Sequence, residues 1–147
     1  MVHSATIPVT TRKRCCWVDI TDQVQNVVGE SGITSGICNV NGLHTTAGLT
    51  LNENADPDVG IDFFNGLSTL VPRDENYRHS EGNSDSHIKA SLVGFHVQVP
   101  VLNSRLVLGT WQSIYFCEFD GPRQRKYMVT VIGESGESST RSVQQQI

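Results

Sequence analysis

The sequence predicts an α+β fold: a single compact domain of mostly antiparallel or mixed β-sheet with two to three short helices. Three observations predict it. Extended segments rich in Val, Ile and Thr occupy both ends of the 147-residue chain. Helical spacing is confined to a short early segment and to the middle. No internal repeat is present, and helices gathered among antiparallel strands argue against a doubly wound sheet.

The elements follow in order. Residues 6–18, rich in Thr, Val, Ile, Cys and Trp, read as a strand. Thr21 or Asp22 can cap a short helix carrying Val24, Val27 and Val28, which Gly29 to Gly32 stop. Ile33 to Leu43 reads as a buried strand, and Thr45 to Leu51 continues in extended form. Asp56-Pro57 is a strong helix opening, a capping carboxylate followed by a proline whose missing N–H costs nothing in the first turn. Ile61, Phe64 and Leu67 fall at helical spacing, Phe63 and Leu70 widen that face, and Pro72 ends it. Residues 73–83 form the longest expected loop. Ser84 or Asp85 caps a further helix with Ile88, Leu92 and Val93 as its apolar stripe, closed by Gly94. From Phe95 onward the chain reads as β, with Trp111 to Phe119 a long strand and Tyr127 to Ile132 its hairpin partner across Asp120-Gly121-Pro122. The domain is expected to span residues 1–133, followed by a flexible, Ser- and Gln-rich tail at 134–147.

Composition bounds the function. A chain of this length buries roughly 68–70% of its unfolded surface, so it needs no disulfide or structural metal merely to fold. With 37% hydrophobic and 18% charged residues it reads as globular. A net charge of −4 with interspersed signs carries no basic stripe for nucleic acid, and Arg12-Lys13-Arg14 reads as a solvated strand start. No apolar run approaches the ~20 residues of a membrane span. The first residues lack a secretory core, so a cytoplasmic location is expected. Cys15, Cys16, Cys38 and Cys117 show no metal or disulfide spacing and read as small buried hydrophobes.

Chemistry-bearing residues concentrate in the polar middle of the chain. His44 follows a buried strand, His79 lies in the long loop, and His87 lies in the first turn of the second middle helix. Neutral imidazole is the commonest metal ligand, and three histidines with one open position make a catalytic zinc-type site. Ordinary polar loop residues are the alternative, since no pair has the HExxH spacing. His3 and His96 read as structural. Glu53 and Glu81 have no capping role and suit general acid–base work, with Asn52 beside the first. Glu118, in the body of a strand, needs a partner if it faces inward. Arg78, Lys89, Arg123, Arg125 and Lys126 can hold an anion, aided by helix N-terminal donors at residues 84–87.

His44-Thr45-Thr46-Ala47-Gly48-Leu49-Thr50-Leu51-Asn52-Glu53-Asn54-Ala55-Asp56-Pro57 resembles the HTSAxLTLNENxDP signature of the YjbQ family. Asn76-Tyr77-Arg78-His79, Glu81-Gly82, Ser86-His87-Ile88-Lys89, Gly109-Thr110-Trp111-Gln112, Glu118 and Arg125 extend the resemblance over roughly residues 8–134.

The resemblance implies a small α+β domain that associates as a homo-oligomer, a trimer, with a histidine cluster near subunit contacts. It implies a divalent metal on His44, His79 and His87, zinc or a similar transition metal, with magnesium as the alternative. It also implies a secondary thiamine-phosphate synthase activity, joining a pyrimidine diphosphate to a thiazole phosphate. Arg78, Lys89 and Arg125 would then grip a small phosphorylated metabolite and Trp111 would stack on a flat heterocycle. Glu53, Glu81 and Glu118 are the catalytic candidates, with Glu53 or Glu81 moving protons if the site is instead a hydrolase's. Histidine ligands suit a zinc-like ion whereas diphosphate chemistry uses magnesium on oxygen ligands. A metal-dependent hydrolase is therefore the rival reading, and a non-enzymatic metal or metabolite binder the third.

Overall fold

A computed structural model describes residues 1–136, and the expected tail at 134–147 lies outside them beyond its first three residues. Among the described residues are eight strands and three helices in two antiparallel sheets. The strands are β1 (Val2–Thr10), β2 (Cys16–Asp19), β3 (Ser35–Gly42), β4 (Ala47–Glu53), β5 (His96–Leu102), β6 (Arg105–Leu106), β7 (Gln112–Glu118) and β8 (Gln124–Glu134). The helices are α1 (Thr21–Ser31), α2 (Pro57–Leu70) and α3 (Ser84–Val93). A five-stranded sheet runs β1-β8-β3-β5-β6 and a three-stranded one β2-β7-β4. The fold class is the expected one. No helix of the described residues is long and apolar enough to cross a membrane.

Two expected connections differ. Residues 6–18 are not one strand: β1 and β2 lie in different sheets, joined through Thr11 to Cys15. The expected hairpin at Asp120-Gly121-Pro122 is instead a crossing between sheets, for β7 pairs with β2 and β4 while β8 pairs with β1 and β3. Turn residues report that the chain reverses, not which strand it then pairs with.

The three-stranded sheet is covered on both faces. One face carries Leu49, Ile114 and Phe116, which pack with Val24 and Val28 of α1 and with Cys38, Val40, Val99 and Val129 of the larger sheet. The other carries Tyr115, Cys117 and Phe119 against Ala90, Trp17, Phe63, Phe64 and Leu67. Double coverage explains why β7 is buried from Ser113 through Glu118, without alternation. A fully buried side chain such as Phe116 contributes about 1.5–3 kcal/mol.

The helix ends follow local chemistry. Asp56 accepts a hydrogen bond from the Asp58 N–H at 2.9 Å, the expected cap of α2. In α1 neither Thr21 nor Asp22 is the cap: Ile20 holds that position without a side-chain bond, and Asp19 before it accepts from the Thr21 N–H at 3.0 Å. The helix passes through Gly29 and stops at Gly32, whose φ of 70° is the left-handed conformation that glycine adopts freely. Asn83 precedes α3 without a side-chain cap bond, so neither Ser84 nor Asp85 is its cap.

The face of α3 is a larger correction. Ile88 and Leu92 were the expected inner stripe, yet they are 40% and 62% exposed, while Asp85, Ser86, Lys89 and Ala90 are buried. The physical reason is an ion triad. Asp85 accepts from Arg14 at 3.1 Å and from Lys89 at 2.9 Å, and a charge is buried when it is paired. Arg14 is therefore a partner of α3 rather than a solvated strand start. Cys38 and Cys117 are buried as expected, whereas Cys15 and Cys16 are only half-buried.

Candidate functional site

The register of β4 on β7 sorts the candidate residues into two groups. Ala47 stands opposite Glu118 at one end of the pair, and Glu53 opposite Gln112 at the other. Six residue steps at ~3.3 Å separate the ends by roughly 20 Å. The helix α3 starts at the Glu118 end, where Ser86 Oγ donates to the Phe119 carbonyl at 2.6 Å and Asn83 Nδ2 donates to Asp120 at 2.8 Å.

His79 and His87 meet at the start of α3. Their rings stand edge to face with centroids 5.4 Å apart. They share a cleft of about 420 Å³ with Tyr77, Arg78, Ser84 and Ile88, a volume within the usual range for small-molecule sites. Glu81 lies beside it, its carboxylate 3.6 Å from His79 Nε2. Tyr77 is fixed by donating to the Pro72 carbonyl at 2.6 Å, which pins the loop across the cleft. Sequence reading missed Tyr77, Ser84 and Ile88 as lining residues. The polar run before the helix was their one available signal.

His44 occupies a different environment. Its Nε2 accepts the Lys126 backbone N–H at 2.9 Å, which uses the one lone pair of a neutral imidazole. Burial, with Arg125 and Lys126 nearby, holds its pKa below the usual histidine value. Among the described residues no three His, Cys, Asp or Glu side chains converge closely enough to hold a metal. The His79–His87 spacing suits two ligands of one ion, since imidazoles on a tetrahedral zinc have centroids roughly 5 Å apart. The third expected ligand, His44, is engaged elsewhere in this chain.

Glu118 and Arg125 are spent on each other. Arg125 donates through Nε at 2.7 Å and through Nη2 to the two Glu118 oxygens, and Nη2 also reaches Thr46 Oγ1 at 2.8 Å. Thr11 Oγ1 at 2.8 Å and the Asp120 N–H at 2.9 Å complete the carboxylate's partners. Both side chains are buried, and the pair ties β7 of one sheet to β8 of the other. Lys89 is likewise buried on Asp85. Of the basic residues expected to grip an anion, Arg78 alone lines the cleft. Asn52, Glu53 and Trp111 lie at the far end of the sheet, where Asn52 Oδ1 accepts the Glu53 N–H and Trp111 is 61% exposed.

Comparison with known proteins gives a consistent result. Residues 5–134 match a family model described as UPF0047 protein YjbQ-like. A UPF0047 protein of Methanocaldococcus jannaschii is 48% identical over 126 residues, covering 86% of this chain and 91% of the relative. YugU of Bacillus subtilis, also a UPF0047 protein, is 48% identical over 129 residues, covering 87% and 98%. A crystal structure from Clostridium acetobutylicum, described as an uncharacterized conserved protein of the YjbQ/UPF0047 family, superposes with a TM-score of 0.86 at 48% identity, covering 87% of this chain and 99% of that one. A Sulfolobus solfataricus protein of unknown function gives a TM-score of 0.88 at 34% identity over 91% and 99%.

Proposed function

The chain belongs to the YjbQ-like UPF0047 family, and from that premise we propose that the α3 cleft binds a small phosphorylated metabolite and cleaves a phosphate-bearing bond as a hydrolase. The observation that carries the reading is the contact of His79 with His87 in a cleft also lined by Arg78. Arg78 offers the planar fork that suits a phosphate, and the uncapped start of α3 adds backbone donors. Tyr77 and Ile88 make an apolar wall, so the metabolite carries a flat or aliphatic part besides its phosphate. Imidazole is the side chain suited to moving protons near neutral pH, and the Glu81 carboxylate lies 3.6 Å from His79 Nε2 at the same cleft. Alternatively, His79 and His87 would hold a zinc-like divalent ion that neutralises charge on the phosphate, and the two rings would then serve as ligands rather than as proton carriers.

Thiamine-phosphate synthase-type transfer is the second reading. It asks for several basic groups and room for two substrates, and the engagement of Lys89 and Arg125 in buried ion pairs disfavours it. Association of copies into the trimer that the resemblance implies belongs to the same proposal. Asn52, Glu53 and Trp111 reach a cleft only from a neighbouring copy, being a strand's length from their own.

Phosphate binding and ester turnover test the reading. Inorganic phosphate should bind with a stoichiometry near one per chain, and Arg78→Ala should weaken it about 10-fold or more, the loss of a charge-assisted hydrogen bond. Turnover of p-nitrophenyl phosphate should fall about 100-fold in His79→Ala and in His87→Ala, and hold in His96→Ala. Absence of phosphate binding would remove the reading. Condensation of the pyrimidine diphosphate with the thiazole phosphate, without ester turnover, would transfer it to the synthase.

A further inference from the structure

A second cleft of about 350 Å³ opens between the β1–β2 connection and α2. Its floor is aromatic. Trp17 stacks on Tyr115 with centroids 4.1 Å apart and planes 15° from parallel, and Phe64 stands edge-on to it at 5.9 Å. Gly60 is what lets α2 come so close: a Cβ built there would lie 2.8 Å from Trp17 Cζ2. Ile61, 56% exposed, forms an apolar rim left uncovered among the described residues. Lys13 is the one ionised side chain among the lining residues, and it has no ion-pair partner among the described residues. Asn65 supplies an amide at the same mouth.

The Arg14–Asp85 pair links the segments that line this cleft and the one at the start of α3. Arg14 is flanked in sequence by Lys13 and Cys15, which line the second cleft, while Asp85 follows Ser84, which lines the first.

We infer that this cleft is a second small-molecule site, for a flat aromatic ligand bearing one anionic group. The aromatic floor and the Ile61 rim take the ring by apolar burial and edge or face contact. The unpaired Lys13 ammonium takes the anion, and no carboxylate lines the cleft to oppose it. A volume near the lower end of the range for ligand sites admits a ligand of two or three fused or linked rings. The inference stands apart from the reading of the α3 cleft.

The test uses 8-anilinonaphthalene-1-sulfonate, a flat anion of this class, on the full chain carrying Trp111→Phe, so that Trp17 is the only tryptophan. Saturable binding near one dye per chain, with Trp17 emission quenched in step, is expected. Lys13→Glu should weaken the dye at least tenfold, and Asn65→Phe, which fills the mouth from an exposed position, should abolish binding with an unchanged melting temperature. Half-buried Cys15 and Cys16, both lining the cleft, should alkylate more slowly when dye is present. Inorganic phosphate should not compete. Binding that survives both substitutions would overturn the inference, as would binding lost in His79→Ala or displaced by phosphate, since the dye would then occupy the first cleft.

Discussion

The two ends of the three-stranded sheet are built on opposite plans. At the Glu118 end, charges are buried and every one has a partner: Glu118 with Arg125, Asp85 with Arg14 and Lys89. At the Glu53 end, polar and aromatic side chains stand half-buried or in solvent, with Trp111 exposed, and neutral hydrogen bonds rather than ion pairs hold the chain: the Asn54 N–H donates to the Trp111 carbonyl at 2.9 Å and Asn54 Nδ2 to Ser113 Oγ at 3.0 Å. Yet the candidate residues read from the sequence fall on both. The contrast teaches that a polar residue in an expected site can be spent on architecture. Glu118, Lys89 and Arg125 hold two sheets and a helix together at the end where the His79–His87 cleft opens.

The largest effect that would break this comparison is at Glu118. Glu118→Ala leaves the Arg125 guanidinium buried without its anion, and breaking such a pair costs about 3–5 kcal/mol. Denaturant midpoints check it, and a loss below about 1 kcal/mol would mean that the end is wetter than described. Asp85→Ala comes next, at about 3 kcal/mol, because Lys89 is buried while Arg14 is partly exposed and can turn to water. Burial pushes the Asp85 carboxyl up, but hydrogen bonds from Arg14 and Lys89 outweigh it and hold the group below its usual range. The sign follows directly. Its stabilisation is present above the unfolded value of ~3.9 and is lost as pH falls through the lower folded value.

Much of the fold is legible in the sequence, and the exceptions share a cause. Asp56-Pro57 announces α2 because capping is local chemistry that needs no knowledge of the rest of the chain. The strands β3, β4 and β7 are legible as apolar runs. The face of α3 is not, because Asp85 and Lys89 go inward only when Arg14 arrives from 71 residues away. The sheet change between β7 and β8 is hidden for the same reason: pairing partners are set by the whole core. In the site, His79 and His87 are legible as residue types near one helix start. The separation of His44, and of Asn52, Glu53 and Trp111, emerges only with strand register.

A smaller effect sharpens the comparison at His44, which sits at the paired end yet keeps a titratable ring. Burial and the nearby Arg125 disfavour its protonation. Above ~6.5 the ring is neutral in both folded and unfolded chains and contributes no pH dependence. Below that value the unfolded chain takes the proton first, so stability declines until pH passes the lower folded value. His44→Gln, which retains an acceptor for the Lys126 N–H, should flatten that slope, and NMR titration should find His44 below the usual histidine value. An ordinary pKa and an unchanged slope would return His44 to the free imidazoles. Elemental analysis adds an independent arm: any divalent metal should be lost in His79→Ala and in His87→Ala.

The smallest expected effect lies at the other end, and it discriminates most between meanings of the comparison. Trp111→Phe keeps an aromatic ring on a largely exposed position and Glu53→Gln only exchanges a half-buried carboxylate for an amide of the same shape, so each should change stability by less than about 0.5 kcal/mol. A loss beyond about 1 kcal/mol would mean that Trp111 is packed, and the contrast between the ends would collapse. With stability unchanged, p-nitrophenyl phosphate turnover carries the remaining information. If the Glu53 end serves a neighbour's cleft, Glu53→Gln should lower turnover as His79→Ala does. Mixing the two inactive variants should then restore part of the rate, because one interface of the mixed assembly joins an intact His79 to an intact Glu53. If the end is idle, Glu53→Gln keeps full turnover and mixing restores nothing. A polar end with free side chains would then be surface alone, and the chemistry would belong wholly to the end where charges are paired.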